Sequence, residues 1–271
     1  MGACLETGRG RIRNSDIHRN DMKTILLFSF VLIQIAPIAV EAQSPANPPD
    51  FTGVWGVYRP GRGGGGDPKL AVPPAGPLAL KPEYAKPYEA RRALEAEATK
   101  RGEQLATTGA QCIPYGMPTM MSVAIYPMEV IQTPRQVSII SEAFSEVRRI
   151  YMGVPQAKLE DVAPGYYGRS VGKWDGDTLV VDTIGIKPSI GGYRGMPHSD
   201  QMRISERLRL VAPDYLHDQI TIDDPVVLEK PVTYTLAFKR MPNYEMVEFV
   251  CDNNREYVDE KGVVRLQVHD K

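Results

Sequence analysis

The stretch Gly195-Met-Pro-His-Ser-Asp200 delivers a histidine and an aspartate just ahead of Met202 to Val211, where polar and apolar residues alternate. Alternation at period two is the signature of a half-buried β-strand. It sets Glu206 on one face with Ile204, Leu208 and Leu210, and puts Arg203, Ser205, Arg207 and Arg209 on the other. If the apolar face points into a barrel, the Glu206 carboxylate must be paired, hydrogen-bonded or protonated, because burying an isolated charge costs several kcal/mol. Glu142 follows Ile140 at the same spacing, Asp182 shares a face with Val180 and Ile184, and the adjacent Arg148 and Arg149 point to opposite faces, so one of them faces in.

The chemistry these residues suggest is proton transfer. A pocket raises the pKa of one carboxyl so that it acts as a general acid while another stays ionised. His198 titrates near neutral pH and, oriented by Asp200 or Glu206, would serve as a general base. The candidate catalytic set is therefore His198, Asp200, Glu206 and Glu142. Arg148 is the candidate holder of an anionic group, and Tyr151, Tyr166, Tyr167 and Tyr193 are candidate substrate contacts that stack on a ring. A second reading stays open: Glu206 and Asp182 are structural, held by Arg148, Arg149 or Arg169, and His198 caps the following strand. Asp223-Asp224-Pro225 reads as a strand-ending turn, and Trp174 as a packing residue. His-Glu-x-x-His and the phosphate loop do not occur, and "GRGGGG" is followed by Asp-Pro rather than by a helix; with three histidines beyond residue 42, one in the C-terminal tail, neither metal nor organic cofactor is expected.

The elements that must position these groups are mostly strands. From Gln111 onward the period is two: short strands flank Thr133-Pro134-Arg135, "EVRRIYMG" is another, and "GRSVGKWDGDTLVVDTIGI" reads as a hairpin about an Asp175-Gly176 type I′ turn. "QMRISERLRLV", "HDQITIDDP", "VTYTLAFKR" and "YEMVEFVCDN" follow. Short strands with local connections predict an antiparallel meander closing as a barrel. Residues 83–105, rich in Ala, Glu and Arg, predict one surface helix with Pro87 in or before its first turn. Residues 43–80 are Pro/Gly-rich and are expected to form a flexible lead with one short strand around Trp55; residues 81–271 are expected to form a single barrel domain.

Residues 1–42 read as an upstream extension and a secretory signal: Met22-Lys23 opens a charged region, an apolar run follows to Val40, and Val40-Glu41-Ala42 fits a cleavage site. A membrane anchor is the alternative, for which the run is short and interrupted by Pro37. Removing the five Lys/Arg and four Asp/Glu of that segment from totals of 32 and 33 leaves a net charge of −2. So balanced a chain has no electrostatic footprint for nucleic acid or anionic membrane. In an oxidising compartment the two remaining cysteines, Cys112 and Cys251, read as one disulfide.

Two features carry a resemblance. "TGVWG" before a β-meander looks like the Gly-x-Trp opening of lipocalin-like barrels. Cys112-x-Pro-x-Gly-Met-Pro, "VIQTP", Glu142, "RRIYM", "VGKWDGDTLVVDT", "GMPHSD", Glu206-Arg207, "TIDDP" and "EFVCDNN", across residues 111–254, are similar to a large group of secreted, mostly uncharacterised bacterial proteins. The resemblance implies secretion, the barrel and the Cys112–Cys251 pairing, and no reaction. "GVPQAKLED" stands where the group has an Arg-Pro-His-Pro stretch, and "SIGGYRG" where a Trp-Leu-Asp segment is usual, so ligand preference is expected to differ. The expected function is a secreted or periplasmic, cofactor-independent lyase, isomerase or hydrolase acting on a small organic molecule; the alternative is a non-catalytic, lipocalin-like binding protein.

Overall fold

Nine strands, Gly53–Tyr58 (β1), Met128–Gln132 (β2), Gln136–Ser141 (β3), Glu146–Met152 (β4), Arg169–Asp175 (β5), Thr178–Ile184 (β6), Arg203–Ala212 (β7), Tyr215–Asp223 (β8) and Val232–Arg240 (β9), close into a barrel in sequence order. The computed structural model describes residues 47–59, 67, 70–106, 112–123, 125–189, 191–251 and 256–266. An odd number of strands cannot alternate direction all the way round a closed ring. One junction must be parallel, and it is β4–β5, where Ile150 faces Ser170 and Met152 faces Gly172. The expected antiparallel meander therefore holds except at this junction, which requires a crossover that residues 153–168 supply.

The register gives the barrel two unlike ends. One carries the tight connections between β2 and β3, β5 and β6, and β7 and β8. The other carries the β3–β4 turn, the incoming crossover, the long β6–β7 loop, the β8–β9 loop, and the connection leaving β1. Alternate residues face inward. At the tight-turn end the inward side chains are apolar: Trp55, Val137, Trp174, Leu179, Leu208, Leu216 and Phe238 are all buried. Arg240 lies over the Trp55 ring, 4.3 Å from its centroid, where β9 meets β1. Packing is close at Gly172, where a Cβ would come within 2.8 Å of Ile150 and Met152.

Several local expectations are corrected. The helix, Pro82–Lys100 (α1), places Pro82 in its first turn but Pro87 inside. The β5–β6 loop consists of Gly176 and Asp177, since Asp175 still pairs with Thr178, and only Gly176 has a positive φ, of 61°. A type I′ turn needs positive φ at both loop positions. The run "YEMVEFVCDN" forms no strand over its described residues, 244–251, and a separate two-stranded sheet, Glu256–Val258 (β10) with Val264–Leu266 (β11), lies beyond. Strand β1 belongs to the barrel rather than to a lead, and the Gly76 amide donates to the Thr233 carbonyl at 2.7 Å. Cys112 and Cys251 form a disulfide, with Cα atoms 5.6 Å apart. No helix among the described residues is long and apolar enough to cross a membrane. The expected signal segment lies outside the described residues.

Candidate functional site

Toward the loop-bearing end the inward side chains become polar. Strand β7 buries Glu206 between Ile204 and Leu208, as its alternation requires, and β4 turns Arg148 inward and Arg149 outward; Arg148 and Glu206 are both 0% exposed. Arg148 Nη1 donates to Glu206 Oε1 at 2.8 Å and Nη2 to Glu206 Oε2, a bidentate pair. Two further donors are also used: Nη2 reaches Thr183 Oγ1 at 3.0 Å and Nε reaches Ser170 Oγ at 3.2 Å, with those two hydroxyls 2.8 Å apart. Ser170 and Thr183 can serve because β5 and β6 set them directly opposite one another. Of the two partners open to Glu206, His198 or an arginine, the fold selects Arg148.

A second acid lies in the same layer. Asp218, on β8, is 0% exposed, and neither carboxyl oxygen has a hydrogen-bond partner among the described residues. Burial, and then the neighbouring Glu206 carboxylate, push its pKa well above the ordinary range, with Arg148 opposing. One guanidinium balances one carboxylate, so the layer is neutral when Asp218 keeps its proton, and a contact between two carboxyl groups is a hydrogen bond only if one is protonated. The Tyr234 phenol, on β9, is pushed up by burial and by these two acids, and its ring stacks on Tyr193 with centroids 4.0 Å apart.

Above this layer, at the start of β4, stands Glu146, 1% exposed. Its Oε1 accepts from the backbone amides of Tyr115 and Gly116, while Oε2 is buried without a partner among the described residues. Desolvation outweighs these two bonds and pushes the carboxyl from 4.5 to about 7. The Tyr167 and Tyr115 phenols are raised by their own burial and by this carboxylate. A carboxyl harder to ionise in the folded state contributes stability that is full below about pH 4.5 and is lost as pH rises through about 7. Glu146→Gln, which keeps an acceptor for both amides, is expected to match the wild type near pH 4.5 and to exceed it by about 2–3 kcal/mol at pH 8. Urea denaturation at the two pH values measures the difference; equal stability at pH 8 would refute the raised value.

The other candidates occupy varied positions. Strand register sets Glu142, Glu206, His198 and Asp200 all toward the loop-bearing end, but no hydrogen bond joins any two of them. His198, 6% exposed, holds its Nδ1 3.0 Å from the Ser199 carbonyl. A carbonyl only accepts, so Nδ1 carries a proton, and in the neutral ring Nε2, buried without a partner among the described residues, is the nitrogen with the lone pair. The loop is tied down by Asp224, whose carboxylate accepts from the Ser199 amide and hydroxyl at 2.6 and 2.8 Å and from the Val226 and Val227 amides. Asp200 is exposed. Glu142 accepts from the Tyr244 hydroxyl at 2.8 Å and the Val247 amide at 3.1 Å, clamping the segment that follows β9.

Asp182 lies outside the barrel, because β6 turns Leu179, Val181 and Thr183 inward; it pairs with Arg203, whose Nε is 2.5 Å from Oδ1, rather than with Arg148, Arg149 or Arg169. Tyr151 is on the outer face, 42% exposed. Tyr166 gives its carbonyl to the Met117 amide and lies beneath Lys187, while Tyr167 stands next to it beside Glu146.

Glu146 and Asp218 escaped the sequence reading although the signal was present. Glu146-x-Arg148-x-Ile150 and Leu216-x-Asp218-x-Ile220-x-Ile222 put each acid on an apolar face by the same alternation that exposed Glu206. Burial of groups with free lone pairs at one end of a barrel is an arrangement suited to taking and returning a proton. No protein-family model matches the chain, and no curated protein matches its sequence.

Proposed function

We propose that this is a secreted or periplasmic enzyme of lipocalin-like architecture that performs acid/base chemistry on a small organic molecule at the loop-bearing end of its barrel, without an organic cofactor. The carrying observation is Glu146: a buried carboxyl held by two amides at one oxygen, free at the other, and raised to about 7. A group that titrates near the working pH both donates and accepts protons readily. His198, with its proton held on Nδ1 and Nε2 free, is the second proton-transfer group. Tyr167 and Tyr115 flank the carboxyl and supply ring faces for the substrate. Glu206 is the support beneath them, since its two oxygens are committed to Arg148.

The mutual engagement of Arg148 and Glu206 favours a second reading, a non-catalytic binding protein, because the deepest charged pair is committed to itself rather than to a substrate. The two are separated by identifying small molecules retained by the purified protein with native mass spectrometry and following their conversion by NMR. Glu146→Gln and His198→Ala are expected to bind within about twofold of the wild type and to convert at least 100-fold more slowly, about what a lost general acid or base costs. Unchanged conversion by both variants removes these residues from the chemistry. A retained molecule that the wild type never converts leaves the binding reading standing.

A further inference from the structure

With all three Arg148 guanidinium nitrogens hydrogen-bonded inside the barrel, the sequence's candidate anion holder is occupied. Arg194, in the β6–β7 loop, carries a guanidinium with no carboxylate partner among the described residues. A cleft of about 440 Å³ lies between that loop, the start of α1 and the segment before it, lined by Leu78, Leu80, Ala85, Tyr88, Glu89 and Arg194. Arg194 is unusually constrained for an exposed residue. Its backbone is left-handed, φ 55° and ψ 27°, which costs a non-glycine residue energy and persists where the surroundings hold it. The Tyr88 hydroxyl donates to its carbonyl at 3.2 Å, and its guanidinium lies 5.2 Å from the Tyr193 ring centroid. Tyr193 in turn stacks on buried Tyr234, so the cation rides on a pair of rings rooted in the barrel.

Neither charged side chain that lines the cleft has an ion-pair partner among the described residues. Farther along α1, Arg91 and Arg92 both engage Glu95, and Lys100 engages Glu97. Glu89 has no cationic partner among the described residues, although Arg92 is three positions along, and Arg194 has no carboxylate. Among the described residues the cleft thus presents one unpaired anion and one unpaired cation beside the apolar side chains of Leu78, Leu80 and Ala85.

We infer that this cleft binds a small zwitterion with an apolar side chain, of the α-amino-acid class: its carboxylate on Arg194, its ammonium on Glu89 and its side chain against Leu78, Leu80 and Ala85. A monoanion would meet Arg194 but also the uncompensated Glu89; a monocation faces the converse, and only a ligand carrying both charges satisfies both walls. An exposed ion pair contributes little by itself, so both charges and the apolar contact are needed, and the dissociation constant is expected at about 0.1–1 mM. The inference stands apart from proton transfer at Glu146, because its readout is binding alone.

The test is titration of the ¹⁵N-labelled full chain, followed by NMR, with L-phenylalanine, 3-phenylpropanoate and 2-phenylethylamine. L-phenylalanine should bind saturably, shifting the amides of Leu80, Ala85 and Arg194, and each singly charged analogue should bind at least about tenfold more weakly. Arg194→Gln and Glu89→Gln should each weaken L-phenylalanine by about fivefold or more. Both side chains are exposed, and circular dichroism of each variant verifies its fold. Equal binding of 3-phenylpropanoate, insensitivity to Glu89→Gln, or no saturation by about 20 mM overturns the inference.

Discussion

Arg148→Met should destabilise the protein by about 3–5 kcal/mol, the cost of leaving a buried carboxylate without its counter-charge. Both partners are 0% exposed, so solvent cannot take over the guanidinium's role. The variant keeps a flexible side chain of roughly similar volume, which limits the cavity contribution. It leaves Glu206, Ser170 and Thr183 without the four donations they received from Arg148 and sets two unpaired acids, Glu206 and Asp218, in one layer. Replacing Glu206 as well, as Arg148→Met/Glu206→Met, should recover most of the loss, since exchanging a whole buried pair for apolar groups is often neutral or favourable. Asp218→Asn offers a contrasting result. A carboxyl whose folded pKa is raised stabilises the fold most below its ordinary value of 3.8 and loses that contribution as pH rises through the folded value. The amide should therefore leave stability little changed at pH 4 and flatten its fall at higher pH. Urea denaturation decides all three. A loss below about 1 kcal/mol in Arg148→Met would show that water or rearrangement compensates the charge, and the tight layer described above would be wrong.

Removing the disulfide, as Cys112→Ser/Cys251→Ser, should cost about 4–5 kcal/mol, from the loop-closure entropy of a bridge spanning 139 residues. Its position makes the loss more than a property of the unfolded chain. Cys112 begins the segment whose Tyr115 and Gly116 amides hold Glu146, and Cys251 ends the segment pinned to Glu142 through Tyr244 and Val247. Between them Phe144 and Phe249 meet with centroids 4.7 Å apart, and Tyr126 meets Phe249 at 5.5 Å. The bridge thus ties the cover of the Glu146 carboxyl to the strap over Glu142. Beyond the global loss, the variant should show faster amide exchange at Tyr115 and Gly116 than in the β7–β8 ladder. Denaturation midpoints under oxidising and reducing conditions give the first quantity, and hydrogen exchange the second. A loss below about 1 kcal/mol, with protection of Tyr115 and Gly116 intact, would mean that the aromatic contacts and the Glu142 clamp hold both segments unaided.

Local alternation in the amino-acid sequence was sufficient to place Glu206 inside the barrel and to locate most strand boundaries. A strand turns successive side chains to opposite faces whatever its neighbours are, and apolar matter on one face decides which is buried. The same rule was enough for Glu146 and Asp218, whose flanking residues carry the same pattern. It failed for Asp182, because Val180 and Ile184 suggested an inner face when the opposite set, Leu179, Val181 and Thr183, is the buried one. Where both faces of a strand carry apolar residues, period two cannot say which is in.

Tertiary structure alone decided the partners. Arg148 and Glu206 stand 58 positions apart and meet across the interior, a relation fixed by closure and register and invisible in either strand. Closure also dictated the parallel β4–β5 junction, since nine strands in a ring require one, and that junction demanded the crossover that brings Tyr166 and Tyr167 to the loop-bearing end. The shift at Glu146 has the same origin. Its residue type sets an ordinary carboxyl near 4.5, and only burial in the folded protein, which outweighs the Tyr115 and Gly116 amides, raises it. Side-chain direction is a local property of the backbone, whereas solvent access and charge pairing are sums over everything packed nearby.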